Sequence, residues 1–290
     1  MNIRELELAD LPTLAELAAR HGTVPQPDGT IHYRSLAYSL VNNEEDRIGK
    51  ADVNTIDIVE YEARDQVALI TLRRPEKRNA INAQLALDLQ AAWERFEAGD
   101  ERVAVIAGEG DTFSAGADVT DLPELWRCIP TIGARVEKPV IAAVSGYCIG
   151  GAIVLVQMCD LCIATEGASF IYPEAQLGFT GGMIAGLAGR IPHKLAMELM
   201  LLGRPLSAQR AYEAGFVNQV VPAGRHVDEA LAWAAELAGH APLVLRTLKR
   251  FVTQQVLPQG PSELLALAQR DLLAVQTSAD YEEGRSAWLA

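Results

Sequence analysis

The sequence predicts an α/β fold in which a mostly parallel sheet is covered by helices on both faces. Short β-branched runs such as "RVAVIAG" and "PVIAAV" alternate with segments whose apolar residues recur at helical spacing. These runs are apolar throughout, as expected of parallel strands that are buried on both faces. With 290 residues, the chain has room for one large domain and an appendage.

Residues 1–55 are predicted to form an N-terminal appendage, because they do not share this alternation. The stretch "DLPTLAELAARHG" predicts a short helix that ends at Gly22, and a mixture of turn residues and one amphipathic piece follows it. The predicted core spans 56–220. It begins with a hairpin over "IDIVEYEARDQVALITLRRP" and continues with a helix over "NAQLALDLQAAWERFEAGD".

The middle of the chain completes the predicted core. "RVAVIAGEG", "KPVIAAV" and "LCIATEGASFIYPE" predict strands, and "AIVLVQMCD" predicts a helix before the last of them. Past Gly178 the chain is predicted to be largely helical, including "DEALAWAAELAGHAPLVLRTLKRFVTQQV" and "PSELLALAQRDLLAVQTS". We therefore expect residues 221–290 to form a C-terminal helical region.

Charge and composition exclude several classes of function. The formal net charge of −13 argues against nucleic acid or an anionic membrane surface as a main partner. We predict neither a signal peptide nor a transmembrane helix, since the start of the chain is acidic and proline and glycines interrupt the longest uncharged run. The five histidines are scattered without metal-ligand spacing, so no metal site is predicted.

All four cysteines lie in or beside apolar segments, at Cys128, Cys148, Cys159 and Cys162. The last two form a C-x-x-C pair, which is compatible with redox or metal chemistry. No second pair completes a zinc site, and free cysteine packs as a small apolar residue. We therefore expect buried, reduced cysteines and a cytoplasmic protein.

Two glycine-containing turns predict a pair of backbone donors. In "GYCIGGAIVLVQMCD", Gly150 and Gly151 stand at the start of a helix, whose first N–H groups are unpaired, and the missing Cβ lets a ligand oxygen approach closely. The turn "DTFSAGADVTDL" follows a strand, carries small residues at 114–117 and is expected to lead into a helix. Two such donors aimed at one carbonyl oxygen would stabilise the charge of a thioester enolate.

Six segments, taken together, resemble the enoyl-CoA hydratase/isomerase (crotonase) superfamily. They are "VALITLRRPEKRNAIN", "FSAGADVTDL", "KPVIAAVSGYCIGGA", "MCDLCIAT", "FIYPEAQLGF" and "LLGRPLSAQRAYEAGFVNQVVP", in the family's order, from about Ile56 onward. The resemblance implies a crotonase fold of repeated ββα units with a C-terminal helical trimerisation region. It further implies a homotrimer or hexamer that acts on an acyl-CoA thioester and needs no cofactor, because the substrate carries the coenzyme A.

The same resemblance implies roles for individual residues. Ala115 and Gly151 would supply the two oxyanion N–H groups. Lys77 and Arg78 would contact the phosphates of CoA, and the backbone at Ala80 and at Ala117 and Asp118 would lie near the adenine. Of the two glutamates that hydratases use, Glu174 matches the second, whereas the first position is occupied by Val154 in the substrate site.

A single carboxylate predicts isomerase-like chemistry. Valine can neither hold nor activate water, so hydration loses one of its proton-transfer groups. Glu174 alone can still move a proton between C2 and C4 of an enoyl-CoA whose enolate is stabilised. Apolar neighbours such as Phe170 and Phe179 are expected to raise the pKa of Glu174. We expect an isomerase or lyase; the alternatives are a hydratase whose water is held by another group and a non-catalytic CoA-binding subunit.

Other departures from the family pattern bear on the substrate. A dienoyl isomerase would need a second acid where Gly182 stands, and a decarboxylase would need a tyrosine and a lysine near Val119 and Pro123. The segment 116–138, which normally covers the acyl chain, is short. Of the basic C-terminal tail that helps to bind CoA in relatives, Arg285 is the one counterpart.

Overall fold

The computed structural model describes residues 58–289, so the predicted appendage and its helix lie outside the described residues. The strands within this range are β1 (Val59–Arg64), β2 (Val67–Leu72), β3 (Val103–Gly108), β4 (Val140–Val144), β5 (Tyr147–Ile149), β6 (Leu161–Thr165), β7 (Ser169–Ile171), β8 (Leu206–Ser207) and β9 (Gln219–Val221). Six of them form the main sheet in the order β1-β2-β3-β4-β6-β9. All neighbours in this sheet are parallel except the β1–β2 hairpin. The predicted hairpin and parallel sheet are confirmed.

The helices in the same range are α1 (Ala83–Ala98), α2 (Gly151–Gln157), α3 (Glu174–Leu177), α4 (His193–Leu202), α5 (Ala208–Glu213), α6 (His226–Ala238), α7 (Pro242–Phe251), α8 (Pro261–Gln276) and α9 (Ala279–Leu289). Short 3-10 helices at Pro75–Lys77, Leu125–Cys128 and Met183–Gly189 and a π-helical turn at Val252–Val256 join them. No helix among the described residues is long and apolar enough to cross a membrane.

Helices cover both faces of the main sheet. On β3, Ile106 belongs to the core on one face, together with the buried Trp93 of α1. Val105 belongs to the core on the other face, where α6 packs through its alanines, including Ala234. Successive side chains of a strand point to opposite faces, so an all-apolar strand serves two cores. Each large side chain that is fully buried in this way contributes about 1.5–3 kcal/mol.

The local sequence explains where α1 begins. The Asn82 side chain accepts a hydrogen bond from the N–H of Leu85 at 3.0 Å, which satisfies one of the unpaired donors of the first turn. Leu89, Trp93 and Phe96 then follow at spacings of three and four residues and are fully buried. The helix ends at Ala98, and Gly99 caps it by donating its N–H to the Arg95 carbonyl.

A second, three-stranded sheet has the order β5-β7-β8. It divides the stretch "LCIATEGASFIYPE", predicted as strand, into β6 of the main sheet and β7 of the small sheet. The turn between them, which contains Gly167, connects the main sheet to the small sheet. Three residues are too few to give a strand pattern, so periodicity does not separate β5 and β7 from their neighbours.

Two helical expectations need correction. No α-helix follows the turn at 114–117; the chain instead runs without regular structure to the 3-10 turn at Leu125–Cys128. The long helical block after Asp228 is divided into α6 and α7, because Pro242 lacks an N–H group and starts a new helix. The remaining helical predictions past Gly178 are confirmed, although Met183–Gly189 is a 3-10 helix.

Polar contacts fasten α7 to the core. The Lys249 ammonium donates to the Asp160 carboxylate and to the Lys138 carbonyl, each at 2.8 Å. Arg246 pairs with Glu97 at 2.6 Å and with Glu137 at 3.2 Å. These charged residues face the core, whereas several apolar side chains of α7 and α8 are exposed, among them Leu243, Leu248, Phe251, Leu265 and Leu272.

Candidate active site

The candidate site lies at the carboxyl edge of the parallel strands. The loop 73–81 follows β2, the turn 109–118 follows β3, and the turn 145–151 follows β4. Ligands of parallel α/β sheets bind outside this edge, because the loops of neighbouring strands meet there. The fold therefore brings together segments from residue 73 to residue 151 of the chain.

The two turns predicted to supply backbone donors lie against each other. Ser114 donates its N–H to the Tyr147 carbonyl at 3.1 Å, and Ile149 donates to the Ser114 carbonyl at 3.0 Å. Gly116 has a φ of +84°, and a Cβ at this position would lie 2.4 Å from the Ile149 carbonyl oxygen. Only glycine fits there. The same hypothetical Cβ would lie 3.4 Å from the Gly151 nitrogen, so the 116 segment passes beside the start of α2.

The hydrogen bonds of this segment distinguish Ala115 from Ala117. Ala115 donates its N–H to the Arg78 carbonyl at 2.9 Å and so presents no free donor. Ala117 forms a parallel bridge with Ile81, in which the groups that bond to Ile81 belong to Gly116 and Asp118. The N–H of Ala117 therefore points away from Ile81 and has no hydrogen-bond partner among residues 58–289. The family resemblance implies that Ala115 is the donor and that Ala117 lies near the adenine; the geometry instead favours Ala117 as the donor.

The start of α2 provides the second backbone donor. Gly150 caps the helix with a φ of +56° and donates its own N–H to the Ile171 carbonyl at 2.9 Å. Gly151 is the first residue of the helix, and its N–H has no partner in the described part of the chain. The first N–H groups of a helix are unpaired and carry partial positive charge, which suits an anionic oxygen.

Glu174 is buried beside this helix end. Glu174 is the first residue of the short helix α3. A Cβ placed on Gly150 would lie 3.1 Å from the Oε1 atom of Glu174. The residue is 8% exposed, and its Oε2 atom has no hydrogen-bond partner within residues 58–289. Burial raises the pKa of Glu174 to about 7, so the expected rise is confirmed. A carboxyl group with this pKa can accept and return a proton near neutral pH.

Val154 lies in the buried part of α2, one helical turn after Gly150 and Gly151. It is 3% exposed and belongs to the same apolar core as its neighbours Ile153 and Leu155. An isopropyl group offers no hydrogen bond and no proton. The helix that supplies the backbone donor therefore supplies no acid or base at this position.

The loop after β2 displays two cations. Lys77 ends a 3-10 turn, and Arg78 follows it with a left-handed φ of 52°. Both side chains are exposed. Their position at the edge of the site suits the phosphates of a nucleotide, as the resemblance implies.

Sequence reasoning missed two residues that hold this loop. Asn79, with a φ of 53°, is buried and donates through its side-chain amide to the carbonyls of Glu109 at 2.9 Å and Thr112 at 2.8 Å. Its side-chain oxygen accepts from the N–H of Arg74 at 2.9 Å. Asparagine tolerates the left-handed region better than most residues, so the first asparagine of "RNAIN" could have indicated a tight turn at this position.

Arg74 joins the loop after β2 to the turn after β3 through its charge. The guanidinium donates to the Ala80 carbonyl and pairs with Asp118 at 3.3 Å. Hydrogen bonds from Thr120, and then from Arg74, lower the pKa of Asp118. Ala80 and Asp118, both predicted near the adenine, are therefore brought together by one arginine that the sequence reasoning did not single out.

A cavity of 840 Å³ opens at the opposite end of α2 from Glu174. Its walls come from the last residues of α2, from α7 and from α8, and they include Gln157, Cys159, Lys249 and Glu263. The four cysteines are free, and burial raises the pKa of all four thiols. No group of residues in 58–289 has the composition of a metal site.

Comparison with known proteins identifies the family. Residues 62–290 match the model of the enoyl-CoA hydratase/isomerase family. A probable enoyl-CoA hydratase of Rhizobium meliloti is 35% identical over 246 residues, which cover 79% of this chain and 93% of that relative. The 2,3-dehydroadipyl-CoA hydratase of Escherichia coli is 35% identical over 242 residues, covering 78% of this chain and 93% of that relative.

Solved structures agree with the sequence matches. The crystal structure of an enoyl-CoA hydratase from Mycobacterium tuberculosis superposes with a TM-score of 0.66 at 32% identity, covering 80% of this chain and 95% of that one. The fold is therefore the crotonase fold. The chain belongs to the enoyl-CoA hydratase/isomerase family, and the protein is an acyl-CoA enzyme of that family.

Proposed function

We propose that the protein isomerises enoyl-CoA thioesters with Glu174 as its single proton carrier. The observation that carries this proposal is the contrast between two positions beside the start of α2. Glu174 is a buried carboxyl whose pKa is raised to about 7, whereas Val154 on the helix itself has no proton to give. A double-bond shift needs one such group, and the addition of water needs a second group to position the water.

The reaction moves one proton between two carbons. The thioester oxygen accepts hydrogen bonds from the N–H groups of Ala117 and Gly151. Glu174 removes a proton from C2 of a 3-enoyl-CoA, and the electron pair of that C–H bond becomes a dienolate whose charge rests on the thioester oxygen. The protonated Glu174 then delivers the same proton to C4, which gives the 2-enoyl-CoA. No atom is gained or lost, and the carboxylate is regenerated.

Binding of the CoA part is assigned to the loop after β2. Lys77 and Arg78 are proposed to contact the phosphates, with Ala80 and Asp118 beside the adenine. We further propose that the reaction needs no cofactor, that the enzyme is a homotrimer or hexamer, and that it works in a reducing cytoplasm. The exposed cations of the loop support the binding of the phosphates, the exposed apolar faces of α7 and α8 support the oligomer, and the free cysteines support the reducing compartment.

A second candidate is hydration of a 2-enoyl-CoA. The names of the relatives favour it, since both curated relatives described above are hydratases by name. In this case another group would hold the water that Val154 cannot hold. The two candidates differ in whether water enters the product.

The deciding experiment compares two rates of the purified protein. Conversion of 3-hexenoyl-CoA to the 2-enoyl isomer is expected to be faster than hydration of crotonyl-CoA. Glu174→Gln is expected to lower the isomerisation rate by about 10²–10⁴-fold, because an amide cannot accept the proton. Val154→Glu is expected to raise the ratio of hydration to isomerisation, since it restores a second carboxyl beside the site.

Glu236→Gln is the matched control, because it makes the same chemical change at an exposed position of α6. It should leave both rates unchanged. Hydration of crotonyl-CoA by the wild type at a rate above that of isomerisation would reject the isomerase proposal and favour the hydratase.

A further inference from the structure

The side chain of Leu125 lies directly over the first residue of α2. A Cβ placed on Gly151 would be 2.7 and 2.8 Å from the two methyl groups of Leu125. Carbon atoms in van der Waals contact are about 3.5–4.0 Å apart, so this space is already filled by leucine. A Cβ at position 151 would therefore require the Leu125 side chain to move.

The turn that carries Leu125 is anchored to the core. Trp126, Arg127 and Cys128, which follow it, are all buried. The Trp93 indole of α1 donates to the Cys128 carbonyl at 2.9 Å, and the Arg127 guanidinium donates to the Gln90 side chain at 3.2 Å. The 3-10 turn is thus held against α1 by Arg127 and Cys128, and Leu125 at its start is partly buried against the core.

The position of Leu125 bears on the acyl group of the substrate. The N–H groups of Ala117 and Gly151 would hold the thioester oxygen, and Glu174, beside Gly150, would face C2. The carbons beyond C2 must then leave the site past the residues that surround the start of α2. Leu125 lies against Gly151 on one side, and the buried Val154 lies one turn further along the helix.

We propose that Leu125 limits the length of the acyl chain, so that the enzyme prefers short acyl-CoA thioesters over long ones. This inference rests on the proposed function, because it takes the Ala117–Gly151 pair as the site of the thioester carbonyl. Removal of the leucine methyls would open a path beside Gly151. In an apolar pocket, each methylene group that gains or loses contact changes the specificity constant by about 10-fold or more.

The test measures exchange of the C2 protons of saturated acyl-CoA thioesters with D₂O, which reports enolate formation without assuming a product. The probes are butanoyl-CoA and decanoyl-CoA, and kcat/KM for exchange is determined for each. Wild type is expected to favour butanoyl-CoA by about 10-fold or more. Leu125→Ala is expected to reduce this preference to about threefold or less, mainly through faster exchange of decanoyl-CoA.

Leu87→Ala is the matched control, since Leu87 is a half-exposed leucine of α1. It should keep the wild-type preference. Leu125→Val, which removes less volume, is expected to give an intermediate preference and serves if the alanine variant does not fold. Equal exchange of both thioesters by the wild type, or an unchanged preference in a folded Leu125 variant, would overturn the inference while the proposed function stands. Absence of exchange on both thioesters would overturn the inference, and it would overturn the proposed function as well only if the wild type also failed to isomerise 3-hexenoyl-CoA.

Discussion

Glu174 combines burial, an unpaired oxygen and a raised pKa, and this combination links activity to stability. Its pKa is about 7 in the folded protein, against an ordinary value of 4.5 for a solvated glutamate. Between these two values the folded state holds a proton that the unfolded state has lost. The free energy of unfolding therefore falls as the pH rises from about 4.5 to about 7, and the penalty persists above pH 7.

Glu174→Gln is accordingly expected to inactivate the enzyme and to stabilise it at pH 8, because the amide carries no charge to desolvate. Urea denaturation at pH 5 and pH 8 measures this. The variant should gain more over the wild type at pH 8 than at pH 5. The kcat/KM of the wild type should fall by about tenfold for each pH unit below pH 7, since the base must be unprotonated. A pH-independent difference in stability between the two proteins would contradict the assignment.

Residue types alone point to part of the candidate site. The paired glycines indicate Gly151, whereas Glu174 follows from the family resemblance, in which it matches the glutamate of the PE pair. The donor in the other turn cannot be chosen in this way, because Ala115 and Ala117 are the same residue type two positions apart. What separates them is the hydrogen bond to the Arg78 carbonyl, which depends on the left-handed backbone at Arg78 and Asn79.

At the scale of elements, one of the ion pairs that hold α7 is largely buried. The Lys249 side chain is 6% exposed, and it bonds to Asp160, which lies between α2 and β6. Lys249→Met is expected to lower the free energy of unfolding by about 3 kcal/mol, because Asp160 is left partly buried without its cation. Urea denaturation gives the value.

The exposed pair of Arg225 and Asp228 at 3.6 Å supplies the control for this prediction. Arg225→Met should cost less than about 1 kcal/mol, since solvent screens that pair. Equal losses in the two variants would mean that the contact of Lys249 does not secure α7.

Long periodic elements are predictable from the sequence and short ones are not. The repeated apolar spacing of α1 and the all-apolar runs of β3 and β4 can be recognised locally in the sequence. By contrast, β5 and β7 have three residues each, and their strand geometry comes from pairing with each other. The missing helix after Ala117 has a similar cause, because the chain there is held by a bridge to Ile81 and by the Arg74–Asp118 pair.

At the scale of the whole molecule, the C-terminal helices expose an apolar surface. Leu265 and Leu272 lie seven residues apart on α8, and each is 61% exposed. Apolar residues grouped on one helix face commonly mark a protein–protein contact. We predict that the protein sediments as three or six copies of the chain, with this face between copies.

The double variant Leu265→Glu with Leu272→Glu is expected to sediment as a smaller species, because two carboxylates would be buried without partners. Leu87→Glu, a charge on the exposed side of α1, should leave the sedimentation coefficient unchanged. A wild type that sediments as a single chain at micromolar concentration would reject the prediction.

The hydrogen bond from Ala115 to the Arg78 carbonyl also determines how fast the backbone amides of this turn exchange with solvent. Amide protons held in hydrogen bonds exchange only when the structure opens, whereas unpaired and accessible ones exchange readily. In the free protein the amide of Ala115 should thus exchange slowly, and that of Ala117, which is unpaired and only partly buried, should exchange more quickly. A bound acyl-CoA should slow amide exchange at Ala117 and Gly151 and leave Ala115 unchanged. The amides whose exchange rates change on binding therefore identify the two donors.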